Sequence, residues 1–123
     1  MWCKMSEKRL GVITETFLGH EDHGIFTFHL MLDFGRTIQG FGTYCLSYSP
    51  NEGEERYNPR IGEAIGKICA AVGVSCWEEL RGKTVFAERD PQTRSLISIE
   101  APPFVPHGPA YNIRDHLGAE VEY

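Results

Sequence analysis

Apolar and polar residues alternate most regularly between residues 25 and 34. The even positions of this run are all large and apolar: Phe26, Phe28, Leu30, Leu32 and Phe34. Because successive side chains of a strand point to opposite faces, this alternation predicts a β-strand with one face in the core. Ile25 and Met31 lie on the opposite face, which predicts partial cover there by a chain terminus or by a partner.

Two neighbouring runs extend this strand into a meander. Residues 10–18 combine aliphatic residues with threonines, and residues 38–48 alternate around two glycines, Gly40 and Gly42, that flank Phe41. A glycine-bracketed turn joins the first two runs, so we expect a hairpin there. The glycines of the third run predict a bent strand packed across a helix, in preference to a ligand-contact surface.

The period of the pattern changes after Pro59. The polar stretch of residues 49–60 predicts a flexible loop. Beyond it, apolar residues recur at helical spacing: Ile61, Ile65, Ile68, Cys69 and Val72. This spacing predicts an amphipathic helix that ends at Gly73.

A short helix and a hairpin are predicted next. Ser75 and Glu78 have the spacing of a capping box, which favours a one-turn helix that stops at Gly82. Two short apolar runs, residues 84–88 and 95–99, are separated by a turn that contains proline and aspartate. They predict a second β-hairpin.

The segment from Ala101 onward carries four of the seven prolines and predicts an irregular tail, apart from a short regular stretch at residues 113–117. Its apolar residues are too numerous for a solvated tail, so we expect several to dock: Phe104, Val105, Tyr111, Ile113 and Leu117.

Together the patterns predict an α+β fold. It comprises an N-terminal antiparallel three-strand meander, one packed amphipathic helix plus a short helix, a C-terminal β-hairpin and a proline-rich tail. The 123 residues suit one domain, with an N-terminal arm at residues 1–9 and a docking tail at residues 101–123.

Charge and cysteine content narrow the class of protein. The net charge of -5 argues against a general nucleic-acid or anionic-membrane surface. No apolar run is long enough for a signal peptide or a membrane span, so a cytoplasmic protein without membrane contact is expected. The four cysteines match neither a secreted disulfide framework nor a metal-binding pair, which predicts reduced thiols: Cys3, Cys45, Cys69 and Cys76.

The turn between the first two strands concentrates the chemistry of the chain, with two histidines and two carboxylates: His20, Glu21, Asp22 and His23. Two histidines three apart can bind zinc, but no second pair of ligands follows them. General acid-base catalysis would need a further group, and only His29, Asp33 and His107 are available. Neither catalytic residues nor metal ligands are therefore predicted, and the turn is expected to set the hairpin register.

The sequence also bears on nucleotide cofactors and nucleic acid as ligands. The sequence around Phe41 lacks the third glycine and the strand-to-helix context of a dinucleotide fingerprint, so no cofactor is predicted. Single-stranded nucleic acid would need aromatic and basic groups on one sheet face, and the candidates are Phe41, Tyr44, Tyr48, Arg36, Arg56 and Arg60. The acidic total makes nucleic acid the less favoured partner.

Several short motifs occur in a defined order: EDHGI at residues 21–25, LDFG at 32–35, QGFG at 39–42, VGV at 72–74, and WEEL with GK at 77–83. In order and spacing they resemble a family of small accessory proteins of tailed phages and prophages. The resemblance covers about residues 12 to 88. It implies an accessory protein of the host-cell cytoplasm and, because the family has no assigned activity, it supplies no catalytic residues.

The expected function is therefore that of a non-enzymatic phage or prophage accessory protein that binds a host or phage protein. The specific hypothesis is an inhibitor of a host-defence component, for example of the CRISPR type, since carboxylates can lie where phosphates would bind. The predicted binding residues are His20, Glu21, Asp22, His23, Phe41, Tyr44, Glu54 and Glu55.

Two alternatives remain: a single-stranded nucleic-acid-binding protein of phage replication or recombination, and a small metal-dependent hydrolase that uses the turn from His20 to His23. The oligomeric state is not determined by the sequence.

Overall fold

The computed structural model describes residues 7–21, 24–43 and 46–118. The strands are β1 (Glu7–His20), β2 (Phe26–Asp33), β3 (Ile38–Thr43), β4 (Ser47–Tyr48), β5 (Arg56–Tyr57), β6 (Thr84–Arg89), β7 (Leu96–Glu100) and β8 (Tyr111–Asn112). The helices are α1 (Ile61–Val72), a 3₁₀-helix (Trp77–Leu80) and α2 (Ile113–Leu117). The chain is thus α+β, and its N-terminal meander, packed helix and C-terminal hairpin confirm the predicted fold class.

One six-stranded antiparallel sheet has the strand order β3-β2-β1-β6-β7-β8. The long strand β1 joins its two halves, because residues 7–12 pair with β6 and residues 12–20 pair with β2. The meander and the hairpin are therefore parts of one sheet. Since β1 begins at Glu7, residues 7–9 belong to this sheet and not to the expected N-terminal arm.

The sheet curls until its ends approach each other. β3 lies close to β7, and the side-chain amide of Gln39 donates a hydrogen bond to the carbonyl oxygen of Arg94 at 2.6 Å. β8 brings the Tyr111 ring edge-on to Phe41, with 6.4 Å between the ring centroids. The order β3-β2-β1-β6-β7, with a helix between β3 and β6, is the strand order of OB-fold barrels.

The core lies inside this curled sheet and under α1. On β2 the predicted alternation is confirmed: Phe28, Leu30 and Leu32 are fully buried, and Phe26 and Phe34 pack at the margins of the core. Phe41 on β3 is also fully buried. The prediction of Phe41 as a binding residue is therefore wrong, because the alternation of β3 points it into the core.

The two glycines beside Phe41 differ in their surroundings. A Cβ atom on Gly42 would overlap the carbonyl oxygen of Phe28, whereas on Gly40 it would meet only the sulfur of Met31 at 3.5 Å. The close approach of another backbone thus explains Gly42 alone.

Helix α1 ends as predicted, with Gly73 in the left-handed conformation at φ 86°. The capping box predicted from Ser75 and Glu78 is wrong by one residue. The Ser75 amide donates instead to the carboxylate of Glu79, at 3.1 Å, and the Ser75 side chain does not cap the 3₁₀-helix.

The polar stretch of residues 49–60 is ordered into a small hairpin, where a flexible loop was expected. Ser47 and Tyr48 pair with Tyr57 and Arg56, and the Asn58 amide donates to the carbonyl oxygen of Leu46 at 2.7 Å. The predicted third strand is correspondingly interrupted, since β3 ends at Thr43 and β4 pairs with β5.

The proline-rich tail docks along α1 and β7. The amides of Ala101 and Gly108 donate to carbonyl oxygens of α1 at 3.1 and 2.7 Å, and Tyr111 and Ile113 are buried. Phe104 does not dock, because 85% of its surface is exposed. The short regular stretch expected at residues 113–117 is the helix α2.

Two of the four cysteines lie in the described part of the chain, and both are free: Cys69 is buried and Cys76 is exposed. Burial raises the pKa of the Cys69 thiol, as expected for a thiol that packs in a core. No helix within residues 7–21, 24–43 and 46–118 has the length and apolar character needed to span a membrane.

Candidate functional site

The end of β1, the turn after it and the β4–β5 hairpin meet at one end of the curled sheet. We call this region the acidic end; its described carboxylates are Glu21, Glu52, Glu54 and Glu55. Two hydrogen bonds hold the hairpin against β2: the Leu46 amide donates to the Phe26 carbonyl at 3.0 Å, and the Phe26 amide donates to the Ser47 hydroxyl at 3.0 Å. The hairpin is thereby fixed next to His20.

Glu55 is the centre of a hydrogen-bond network at the acidic end. The hydroxyls of Ser47 and Tyr57 donate to its two carboxylate oxygens at 2.6 and 2.7 Å. The Nε2 atom of His20 lies 2.8 Å from one of these oxygens and 3.1 Å from the other. Because an ionised carboxylate only accepts hydrogen bonds, Nε2 of His20 carries the proton that it donates.

This network keeps Glu55 ionised. Hydrogen bonds from Ser47, then Tyr57, then His20 lower the pKa of Glu55 from 4.5 to about 2. The same contact raises the pKa of the Tyr57 hydroxyl, which donates its proton to the carboxylate. At neutral pH the acidic end therefore presents a fixed negative charge whose side chain is still 29% exposed.

Glu54 is held in a similar way on the other side of the hairpin. The side-chain amide of Asn51 donates to one oxygen at 2.9 Å, and the Arg56 guanidinium donates to the other at 3.1 Å. These two contacts, led by Asn51, lower the pKa of Glu54. Glu52, at the tip of the same hairpin, is exposed.

Ser47, His20 and Glu55 do not form a nucleophilic triad. In such a triad the imidazole lies between the hydroxyl and the carboxylate and accepts the hydroxyl proton. Here the carboxylate of Glu55 takes the central place, so the Ser47 hydroxyl donates to Glu55 and not to His20. Ser47 is also only 6% exposed, which hinders attack on a substrate.

The acidic end is not a metal site in the part of the chain that the structure describes. Among the described residues, no three histidine, cysteine, aspartate or glutamate side chains lie close enough together to hold a metal ion. Two of the residues of the turn, Asp22 and His23, lie outside the described residues.

Aromatic and aliphatic groups surround the fixed carboxylates. Tyr48, Tyr57 and Ile25 are exposed by 42%, 46% and 38%. The rings of His20, Phe26 and Tyr57 meet edge-on, with centroid distances of 5.1 Å and 5.4 Å from Phe26 to the other two. An open groove of about 340 Å³ runs between the turn at Gly24 and the β4–β5 hairpin. The acidic end thus combines a concave surface, fixed negative charge and exposed tyrosines.

Four of the eight predicted binding residues are brought together at the acidic end: His20, Glu21, Glu54 and Glu55. Phe41 lies in the core, and Asp22, His23 and Tyr44 lie outside the described residues. The three groups considered as catalytic partners of the turn make other contacts. His29 stacks on Phe17 with ring centroids 5.4 Å apart, Asp33 accepts from the Gly35 amide, and His107 contacts Gly108.

Two members of the network, Ser47 and Tyr57, were missed from the sequence. Ser47 belongs to the predicted third strand and Tyr57 to the predicted flexible loop, so no contact between them was expected. The available signal was the pair of short polar-aromatic runs on either side of Asn51 and Gly53, a pattern that is also typical of a hairpin.

No protein-family profile, no curated protein and no solved structure matches this chain. The class of protein that the fold and the site define is an α+β barrel-like domain with a preorganised acidic surface.

Proposed function

We propose that this chain is a non-enzymatic accessory protein of the phage type, which binds a basic surface of a partner protein through its acidic end. The observation that carries the proposal is the Glu55 network, since three donors hold one partly exposed carboxylate in a fixed position beside exposed tyrosines. The motif resemblance to phage accessory proteins points to the same class of function.

Preorganisation favours binding over catalysis at this site. A side chain that is already held in its bound conformation loses little conformational entropy when a partner arrives. Glu55 is held by three side chains and Glu54 by two, so both carboxylates meet this condition. Neither is placed to transfer a proton at neutral pH, because both pKa values are lowered.

The groove beside these carboxylates suits a basic side chain of the partner. Its lining includes Glu54, Glu55 and the rings or hydroxyls of the β4–β5 hairpin. A guanidinium or ammonium group gains charge-assisted hydrogen bonds from carboxylates and packs its stem against tyrosine. Tyrosine is also among the residues enriched at the centres of protein interfaces.

A basic partner surface agrees with the hypothesis of a host-defence inhibitor. Proteins that hold nucleic acid present arginine and lysine to the phosphates, and a rigid row of carboxylates can occupy the same positions. The partner is then expected to lose nucleic-acid binding when the complex forms, and the complex is expected to weaken with salt.

The proposal is tested by affinity capture from a host lysate with three forms of the full chain. These are the natural sequence, Glu52→Lys, which reverses an exposed charge at the acidic end, and Glu78→Lys, which makes the same change on the 3₁₀-helix. Neither glutamate forms a described hydrogen bond or ion pair, so both variants are expected to fold. Each captured protein is purified, recombined with the three forms and measured for affinity.

A partner that binds the natural sequence and Glu78→Lys, and binds Glu52→Lys about tenfold more weakly, supports the proposal. Capture of chaperones alone, or of proteins that do not distinguish the two variants, contradicts it.

A second candidate function, binding of single-stranded nucleic acid, is favoured by one observation on the outer sheet face. Phe17 and His29 stack in parallel at 18°, and a groove of about 320 Å³ beside them reaches Arg81. Stacked rings on strands β1 and β2 of a barrel with this strand order are a surface on which bases can stack. A mobility shift at low salt that disappears in Phe17→Ala supports this function, and absence of any shift at low salt excludes it.

A further inference from the structure

An exposed phenylalanine and a largely apolar groove lie next to each other where the proline-rich tail docks on α1. Phe104 is 85% exposed, the highest value among the large apolar side chains that the structure describes. The groove has a volume of about 350 Å³ and shares no residue with the groove of the acidic end. We call it the tail groove, and its walls include Lys67, Ala70, Pro109, Ala110, Tyr111 and Asp115.

A short turn presents the Phe104 ring to solvent. The Val105 amide donates to the Pro102 carbonyl oxygen at 3.0 Å, which closes a turn with Pro103 and Phe104 at its two central positions. Proline at the first central position fixes φ at the value that such a turn requires. Pro102 is buried, so the turn is anchored at its base. The backbone that carries the ring therefore has little conformational freedom to lose when the ring is bound.

Hydrogen bonds on both sides attach this turn to α1. The amides of Ala101 and Gly108 donate to carbonyl oxygens in the last turn of the helix, at 3.1 and 2.7 Å. Phe104 is four residues from Gly108, so their Cα atoms are no more than about 14 Å apart. Gly108 is followed directly by Pro109, which lines the tail groove. The exposed ring and the groove are therefore parts of one surface patch.

The tail groove has the size and the chemistry to hold a phenyl ring. Ala70 and Ala110 are exposed and too small to fill the space between the helix and the tail. The wall formed by Tyr111 is only 3% exposed, and its hydroxyl is hydrogen-bonded to Nδ1 of His116 at 2.9 Å. That wall therefore offers an aromatic ring whose polar atom is already satisfied. Apolar cavities of about 150 Å³ hold benzene, so the groove has room for the ring and part of its turn.

The charge of this patch favours contact between two copies of the chain. With a net charge of -5, two copies repel each other unless they meet through a surface without net charge. With histidine neutral, the groove lining carries one positive and one negative side chain, Lys67 and Asp115. Residues 101–106 carry no charged side chain. A contact between two such patches therefore brings together no excess of negative charge.

We propose that two copies of this chain associate about a twofold axis, with the Phe104 ring of each copy inserted into the tail groove of the other. A twofold contact joins one surface patch to itself, so the projecting group and the recess must lie on the same patch. Phe104 and the tail groove meet this condition. Phenylalanine is also enriched at protein interfaces. Phe104 does not occupy the groove of its own chain, because its ring is exposed.

Sedimentation velocity of the full chain, from about 5 to about 500 μM, tests the association. We expect a monomer–dimer equilibrium with a dissociation constant of about 100 μM or below. Because the contact is apolar, the dimer is not expected to weaken with salt, in contrast to the partner complex proposed for the acidic end.

Substitutions at exposed positions separate the ring from the groove. Phe104→Ala removes the ring, and Ala110→Glu places a charge in the groove; each is expected to weaken the dimer at least about tenfold. Ile38→Ala is the matched control and should leave the dimer unchanged, because Ile38 is 63% exposed and lies outside the patch. Thermal unfolding of each variant checks that it is folded.

A mixture of the two variants tests reciprocal insertion. Phe104→Ala keeps the groove and Ala110→Glu keeps the ring, so a mixed dimer recovers one of the two contacts. Association in the mixture that is at least about threefold tighter than in either variant alone supports the proposal. The proposal is overturned if the natural chain is monomeric at the highest concentration, if Phe104→Ala dimerises as strongly as the natural chain, or if the mixture associates no more strongly than its components.

Discussion

The two ends of the curled sheet use charge in different ways. At the acidic end the carboxylate of Glu55 is held by three donors of the same chain, and its neighbours lower its pKa to about 2. At the opposite end, near the start of β1, the guanidinium of Arg9 lies over the Phe34 ring, 5.6 Å from the ring centre. A carboxylate held by several donors keeps one position that a partner can bind, whereas a cation that rests on a ring contributes little to the stability of the fold.

The largest expected effect on stability concerns the close pairing of β2 and β3 at Gly42. In Gly42→Ala the new methyl group would overlap the Phe28 carbonyl, so β2 and β3 must separate. We expect the free energy of unfolding to fall by about 2–3 kcal/mol, measured by urea denaturation. Gly40→Ala is the matched control, with a change within about 0.5 kcal/mol, because its methyl group would make only an ordinary contact with the Met31 sulfur at 3.5 Å. Equal losses of stability in Gly42→Ala and Gly40→Ala would show that the close approach of the Phe28 backbone does not explain Gly42.

A smaller effect is expected from Gly11→Ala near the start of β1. The added methyl group meets the Phe34 ring at 2.8 Å, and this partly buried ring must move. The free energy of unfolding is expected to fall by about 1–2 kcal/mol, and urea denaturation measures it. An unchanged free energy of unfolding would show that the ring moves aside without cost.

Glu55→Gln is expected to destabilise the protein in a pH-dependent way. The pKa of Glu55 is about 2 in the folded chain and 4.5 without its partners. Because the folded value is the lower one, the stabilisation is fully present above pH 4.5 and is lost as the pH falls toward 2.

The thermal unfolding temperatures of the natural sequence and Glu55→Gln should therefore differ at pH 7 and converge between pH 4.5 and 2. Glu52→Gln, at the exposed hairpin tip, is the control and should show no such convergence. A difference that stays constant with pH would contradict the network.

The smallest stability effect is expected for Arg9→Gln. The variant loses only the contact of an exposed guanidinium with the Phe34 ring, so the free energy of unfolding should change by no more than about 0.5 kcal/mol. Denaturation at pH 7 measures it beside Glu55→Gln. A larger loss for Arg9→Gln than for Glu55→Gln would reverse the comparison between the two ends.

The individual strands could be predicted from local sequence patterns. Their assembly into one sheet could not. The alternation of β2 and the helical period of α1 both identify their elements, because one buried face imposes one period. The pairing of β1 with β6 could not be predicted from a local sequence pattern, because it joins residues 7–12 to residues 84–89 across most of the chain. The ordered β4–β5 hairpin was missed because its polar residues satisfy one another and need no apolar face.

The candidate site could be predicted only in part for the same reason. His20 and Glu21 stand out in the sequence because several titratable groups fall in one turn. Glu55 joins them only through the β4–β5 hairpin, which the sequence did not predict.

A single comparison of spectra tests the account of the acidic end most directly. The amide nitrogen-proton spectra of the natural sequence, Glu55→Gln and Arg9→Gln are recorded at pH 7. Glu55→Gln is expected to shift the resonances of His20, Ser47 and Tyr57, because these residues bind the Glu55 carboxylate, and Arg9→Gln is expected to leave them in place. Unchanged resonances of these three residues in Glu55→Gln would contradict the network as the centre of the acidic end.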